Sequence, residues 1–318
     1  MIAGSIAAWP LTARAQQPQK VPRIGFLGLA PAPTFATRVE ALRDGLRDRG
    51  YIEGKDIVIE FRWAERVEQL PELAAELVGM NVDVIFAPSS IYVEPARQAT
   101  KTIPIVFAVH ADPVGVGHVA SLARPGGNIT GLSSVLTELA PKELEILKEV
   151  VPQAMRIGVL WEPTTPSHRP AVKAVESAGA KLGVQLLMMP LHKVEDFEQT
   201  FSLMGRERVG GFLCLASSLF FSQRARMAAL AIKHRLPGMF GDVEYVEAGG
   251  LMSYRADQLY QFRRSAFYID RILKGTSPAD LPVELPTKFT LAINLTTAKA
   301  IGLTISESFL LRADKVIE

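Results

Sequence analysis

Val21-Pro22-Arg23-Ile24-Gly25-Phe26-Leu27 is a mostly apolar run with a proline at its second position, the pattern of a buried strand. Beyond it, Phe35, Val39, Leu42 and Leu46 recur at spacings of four, three and four, which predicts a helix, and Gly50 ends it. Ile57-Val58-Ile59-Glu60-Phe61 then alternates as a strand does. A second helix places Leu70, Leu73, Ala74, Leu77 and Val78 on one face. Val82-Asp83-Val84-Ile85-Phe86-Ala87 and Ile105-Val106-Phe107-Ala108-Val109 are further strands, with a helix to about Thr100 between them. Repeated βα units with short connections predict a parallel sheet covered on both faces.

Near Pro125-Gly126-Gly127-Asn128 the rhythm pauses and begins again. Leu144, Leu147, Val150 and Val151 mark a helix, and Arg156-Ile157-Gly158-Val159-Leu160-Trp161 is placed like the first strand. Strands at 184–188 and 209–215 follow, with helices between. No residue-level repeat is evident, yet two βαβ-rich halves of similar size read as two lobes. After Gly249-Gly250-Leu251-Met252-Ser253-Tyr254 comes a helix carrying Leu259, Phe262, Ala266, Ile269 and Leu273. The stretch from Pro278 to Pro286 contains three prolines, which stiffen an extended connection. Such a tail fits a chain that crosses between lobes more than once, and so a hinge.

Composition removes several classes. With 318 residues, 21% charged and 48% hydrophobic, the chain has ample core for two lobes. The formal net charge is +2 with no basic run, which argues against a nucleic-acid partner. No apolar stretch reaches the ~18 residues of a membrane span. Cys214, the single cysteine, excludes an internal disulfide or a multi-cysteine metal site and reads as a buried thiol. Residues 1–15 read as a partial signal peptide: Ile2 to Leu11 is small and apolar, and Ala13-Arg14-Ala15 before Gln16 has the form of a signal-peptidase site. The charged n-region is missing. No cysteine lies beside the cleavage site, so the expected product is exported to the periplasm without a lipid anchor.

Catalytic signatures are absent: neither a P-loop nor H-E-x-x-H, C-x-x-C, G-x-G-x-x-G or G-x-S-x-G occurs. The histidines, at 110, 118, 168, 192 and 234, show no i, i+4 pairing, and no cofactor or metal is expected. His110 stands out because it directly follows an apolar strand. In a parallel sheet of order 2-1-3-4-5, ligands bind beyond the carboxyl ends of the strands. In the first lobe that selects the loop Ala30 to Thr34, then Ser89, Ser90 and Tyr92, with His110 and Asp112 at the end of the fourth strand. In the second it selects Trp161, Thr164, Thr165, Ser217 and Ser218. Hydroxyls at helix starts, beside free backbone N–H groups, suit a carboxylate or other anion; their alternative role is simply to cap those helices. Trp161 and Tyr92 could stack on a flat ligand or pack on their own lobe. Asp112 could meet a cation or order its turn. Asp242, with Glu244, precedes Gly249-Gly250 near a crossing and is either a ligand contact or a solvated charge.

Several segments resemble a known family. Gly50-Tyr51-Ile52-Glu53-Gly54, Ile59-Glu60-Phe61-Arg62-Trp63-Ala64-Glu65 and Ala120-Ser121-Leu122-Ala123-Arg124-Pro125-Gly126-Gly127-Asn128 are similar to ABC-transporter substrate-binding proteins of the tryptophan/tyrosine type. So are Val246-Glu247-Ala248-Gly249-Gly250-Leu251-Met252-Ser253-Tyr254, Arg271-Ile272-Leu273-Lys274-Gly275 and Pro286-Thr287-Lys288-Phe289, with Ile293-Asn294-Leu295 and Thr297-Ala298-Lys299-Ala300 after them. The match is co-linear over almost the whole mature chain. It implies an α/β fold of the periplasmic-binding-protein-like type I: two flavodoxin-like lobes with doubly wound parallel sheets, joined by three crossing segments. The expected lobes are residues 16–131 plus 254–283, and 132–253 plus 284–318.

The resemblance also implies a monomer, not an enzyme, that captures a small molecule, closes on it and docks on an ABC permease in the inner membrane. Members assigned to aromatic amino acids often carry an Asp-Asn pair after the third strand of the second lobe. Ser217-Ser218 stands there in this chain, so an aromatic or other small carboxylate competes with an amino acid as ligand. The alternatives on the same two-lobed fold are an enzyme and a ligand-sensing module.

Overall fold

The computed structural model describes residues 21–29 and 32–318. The leader-like segment with its cleavage site, and Ala30-Pro31 of the first expected loop, lie outside the described residues.

Two sheets organise the chain. The first is built from β1 (Arg23–Leu29), α1 (Ala36–Arg47), β2 (Val58–Ala64), α2 (Leu70–Gly79), β3 (Val84–Phe86), α3 (Ser90–Ala99), β4 (Ile105–His110) and β5 (Ile129–Ser133). Its strand order is β2-β1-β3-β4-β5, parallel throughout. The second begins with α4 (Leu136–Val150), β6 (Arg156–Trp161), α5 (His168–Leu182), β7 (Gln185–Pro190), α6 (Asp196–Arg206) and β8 (Phe212–Cys214). It continues through α7 (Ser218–Ser222), α8 (Arg224–Lys233), β9 (Gly238–Phe240), α9 (Val243–Glu247) and β10 (Met252–Ala256). After α10 (Gln258–Leu273) it is completed by β11 (Phe289–Asn294), α11 (Leu295–Ile301), α12 (Glu307–Leu310) and β12 (Lys315–Ile317). The order β12-β11-β10-β9-β8-β6-β7 repeats the 2-1-3-4-5 pattern and extends it by two strands, with β11 antiparallel to β10.

The central strands of both sheets are buried on two faces, which is why they read as apolar runs, whereas the edge strand β2 alternates. Ile24, Phe26, Phe86 and Val106 form one core; Ile157, Val159, Leu213 and Met239 form part of the other. The chain leaves the first sheet after Ser133, returns after Ala256 and leaves again beyond Glu284. The first two crossings thus fall later than the expected breaks at 131/132 and 253/254. His110 pairs with Ser133 at the end of β5, and Tyr254, Arg255 and Ala256 pair with Leu291, Thr290 and Phe289, so ladder hydrogen bonds hold these residues to their sheets.

α10 lies under the first sheet against α1. A Cβ on Gly45 would stand 2.1 Å from the Arg263 carbonyl oxygen, so glycine is what lets the two helices approach. Phe262, Ala266 and Ile269 face inward as expected, whereas Leu259 is 39% exposed. The first crossing carries a backbone oddity: Val135, β-branched, sits in the left-handed region at φ 47°, ψ 42°.

Candidate functional site

In the first sheet, the β3–α3 turn delivers Ser89 and Ser90 to the strand ends. Ser89 occupies the N-cap position of α3 but makes no side-chain capping bond. Ser90, buried, accepts a hydrogen bond from the Ala111 N–H (3.0 Å), and its Oγ lies 3.3 Å from His110 Nδ1. His110 Nε2 is 2.7 Å from His118 Nδ1, and His118 Nε2 is 2.9 Å from a Glu94 carboxylate oxygen. Burial lowers the pKa of both histidines, with the neighbouring His118 adding to the effect at His110. Asp112 accepts from the Gly115 N–H at 2.8 Å and stands 3.5 Å from the Thr137 hydroxyl, so it orders its own turn. Burial pushes the Tyr92 hydroxyl up; it lies beside Ser218 and Leu29 without a well-formed hydrogen bond.

The second sheet presents two loops. After β6, Glu162 is wholly buried and accepts from the hydroxyls of Thr164 (2.9 Å) and Thr165 (3.1 Å); burial raises its pKa, and these hydroxyls oppose the rise. His168 ties this loop to the next one: its Nδ1 accepts from the Glu162 N–H and its Nε2 donates to the Ala216 carbonyl, each at 2.9 Å. Burial holds His168 down at about 4. After β8, Ser217 caps α7 by accepting from the Phe220 N–H at 3.1 Å.

The two faces meet. Ser89 Oγ lies 3.2 Å from Ser218 Oγ, and Ser167 donates to Ser90 across 3.4 Å. Arg38, from α1, reaches into the opposite lobe, where its guanidinium is 3.1 Å from Glu244, 3.4 Å from Asp242 and 3.5 Å above the Phe221 ring. Burial works against its charge, but Glu244 and Asp242 outweigh that and keep its pKa above the ordinary value. Asp242 also accepts from Gln258, and burial raises it to about 6 against the pull of Arg38. Arg255 pairs with Glu143 at 3.1 Å in the core, where burial lifts Glu143 to about 7. Among these residues three buried atoms have no hydrogen-bond partner: Arg255 Nε, Glu143 Oε2 and Gln258 Oε1. Enclosed between the lobes is a cavity of about 50 Å³.

Of the expected site residues, Ser89, Ser90, Thr165, Ser217, Ser218 and Asp242 line this cavity together. Tyr92, His110, Asp112, Trp161 and Thr164 are not part of its wall. His110 stands behind Ser90, Thr164 is exposed behind Glu162, and Trp161 packs on the second core with its indole N–H unpartnered. The wall also contains Arg38, Ser167, Arg255 and Gln258, which sequence reading missed. Arg38 did leave a signal: it lies three residues after Phe35 and four before Leu42, on the apolar face of α1, where a charge needs a buried partner. Cys214 is buried and its thiol is pushed up by that burial, in line with a structural role. No described helix is long and apolar enough to cross a membrane, and no cluster of three His, Cys, Asp or Glu among the described residues could hold a metal.

Known proteins share this design. A tyrosine-binding protein of Clostridioides difficile is 26% identical over 287 residues, covering 90% of this chain and 82% of that protein. A conserved domain protein of Vibrio cholerae superposes with a TM-score of 0.87 at 29% identity, over 93% of this chain and 100% of the other. An ABC domain from Streptococcus pneumoniae, solved in complex with L-Trp, superposes with a TM-score of 0.85 at 25% identity, over 93% and 99%. The profile of the family described as ABC transporter substrate binding protein matches residues 24–317. The chain therefore belongs to the ABC transporter substrate-binding proteins, a family of solute binders rather than enzymes.

Proposed function

We propose that this protein is the periplasmic, monomeric binding component of an ABC importer, and that it delivers an amino acid with an apolar or aromatic side chain to its permease. The lobes that close are residues 21–133 with 258–284, and 136–256 with 289–318. The supporting observation is the mixed chemistry of one interlobe cavity: Asp242 for an ammonium, Arg255 with the serine hydroxyls for a carboxylate, and Ile91, Leu136 and Phe221 for an apolar body. The leader-like N-terminus supports export, and the L-Trp and tyrosine binders among its relatives support the ligand class.

Closure is a population shift between open and closed forms. Arg38 belongs to one lobe and Asp242 to the other, so parting the lobes frees the Asp242 carboxylate for a ligand ammonium. A cavity of about 50 Å³ is too small for an amino acid, so the bound form has to hold Ser89 away from Ser218 and bridge the gap with ligand. A thermal-shift screen with L-tyrosine, L-tryptophan, L-phenylalanine, 3-(4-hydroxyphenyl)propionate and benzoate tests this. A ligand at a hundred times its Kd adds about 2.7 kcal/mol, a shift of a few degrees. Shifts confined to the two acids lacking an amino group would remove the amino-acid reading; silence throughout would remove the solute class.

A further inference from the structure

Hydroxyls at helix starts are usually counted as donors to anions, but the atoms around Ser90 point the other way. Asp112 N–H donates to His110 Nδ1 at 3.2 Å, so that nitrogen carries no proton. The His110 proton is then on Nε2, facing His118 Nδ1 at 2.7 Å, which leaves the His118 proton on Nε2, facing Glu94 at 2.9 Å. Arg97 (2.7 and 2.8 Å) and Gln98 (2.9 Å) pin the Glu94 carboxylate in place. With His110 Nδ1 bare, the Ser90 hydroxyl hydrogen is directed to it at 3.3 Å and shares its single lone pair with the Asp112 N–H. One Ser90 lone pair takes the Ala111 N–H, and the other takes the Ser167 hydroxyl across the cavity.

We infer that His118 and Glu94, acting through His110, fix Ser90 as a hydrogen-bond acceptor towards the cavity, so that the ligand end facing Ser90 is a donor, an ammonium or hydroxyl, and not a carboxylate. The inference rests on the amino-acid reading above for its ligand but not for its geometry. Ser90 is a specificity-determining contact, and His110 and His118 are positioning residues. In the bound form the ligand's donor takes the place that the Ser167 hydroxyl holds here. The carboxylate is left to Arg255 Nε and to the hydroxyls of Ser89 and Ser218.

Two measurements test this. Imidazole ¹⁵N NMR on the unaltered protein should show both histidines as neutral Nε2–H tautomers near pH 7; an Nδ1–H signal for His110 overturns the inference. Ser90→Ala is then compared on L-tyrosine and on its analogue lacking the amino group, 3-(4-hydroxyphenyl)propionate. An acceptor role predicts a roughly tenfold loss for L-tyrosine and no change for the analogue. Equal losses for both would show that Ser90 donates to the carboxylate. His118→Phe, which releases His110 from its fixed tautomer, should reduce the preference for L-tyrosine several-fold. If neither compound binds the unaltered protein, the proposed solute class falls, and the ¹⁵N tautomers still decide the polarity of Ser90.

Discussion

Phe86-Ala87-Pro88-Ser89-Ser90 and Cys214-Leu215-Ala216-Ser217-Ser218 end the third strand of each lobe, carry the same serine pair and face each other, yet they are held differently. In the second lobe the first serine caps its helix, and a buried histidine, His168, grips the backbone just before it. In the first lobe the first serine caps nothing, and the buried histidine grips the second serine's hydroxyl instead. One lobe uses its histidine to place a loop; the other uses it to orient a functional group. Equal sequence at equivalent positions does not mean equal chemistry, because what lies behind the loop sets the role.

The comparison holds only while the lobes face one another, and Arg38 pairs with acids across the gap between them. Arg38→Ala leaves buried Asp242 and half-buried Glu244 without their cation, a loss of about 3–5 kcal/mol. It should open the free protein, seen as a larger radius of gyration in solution scattering; an unchanged radius would remove Arg38 as the clamp.

His168→Gln comes next. The native imidazole, held at about 4, stays neutral where the unfolded one protonates near 6.5. The unfolded state therefore binds more protons between those values, and stability falls as pH drops from 6.5 to 4. Removing that difference should flatten the decline by about 3 kcal/mol in denaturant titrations at the two pH values. Asp242 and Glu143, raised by burial, work in the opposite direction, so the variant is read against the parent protein and not against a flat line.

Two serine variants separate the loops most directly. Ser217→Ala loses a cap and about 1 kcal/mol of stability in chemical denaturation. Ser89→Ala has no cap to lose and should cost at most about 0.5 kcal/mol. Equal stability losses in the two would erase the distinction between the lobes.

Much of this was legible in the sequence. Strand periodicity and short connections pointed to two sheets, parallel but for β11, because strands buried on both faces must be apolar throughout. The strand-end rule selected Ser89, Ser90, Thr165, Ser217 and Ser218, which line one cavity, whereas Asp242 entered the reading only by its place near a crossing. The rule could not reveal Arg255, whose partner Glu143 is 112 residues away, because the pairing exists only once α4 and β10 are packed. Nor could it separate Asp112, which orders a turn, from Asp242, which faces the cavity: both are acids beside a strand end, and only their burial and partners differ. Leu259 fitted the helical stripe yet is exposed, since it begins α10 at a crossing where neither sheet covers it.

Val135 bears on the connection between the lobes rather than on the cavity. A branched side chain held at φ 47° costs of order 1–2 kcal/mol against an ordinary conformation, and it sits where the chain first passes between the sheets. A joint cocked in this way stores that energy in the folded chain, and Val135→Gly, which takes φ > 0 at no steric cost, should release it.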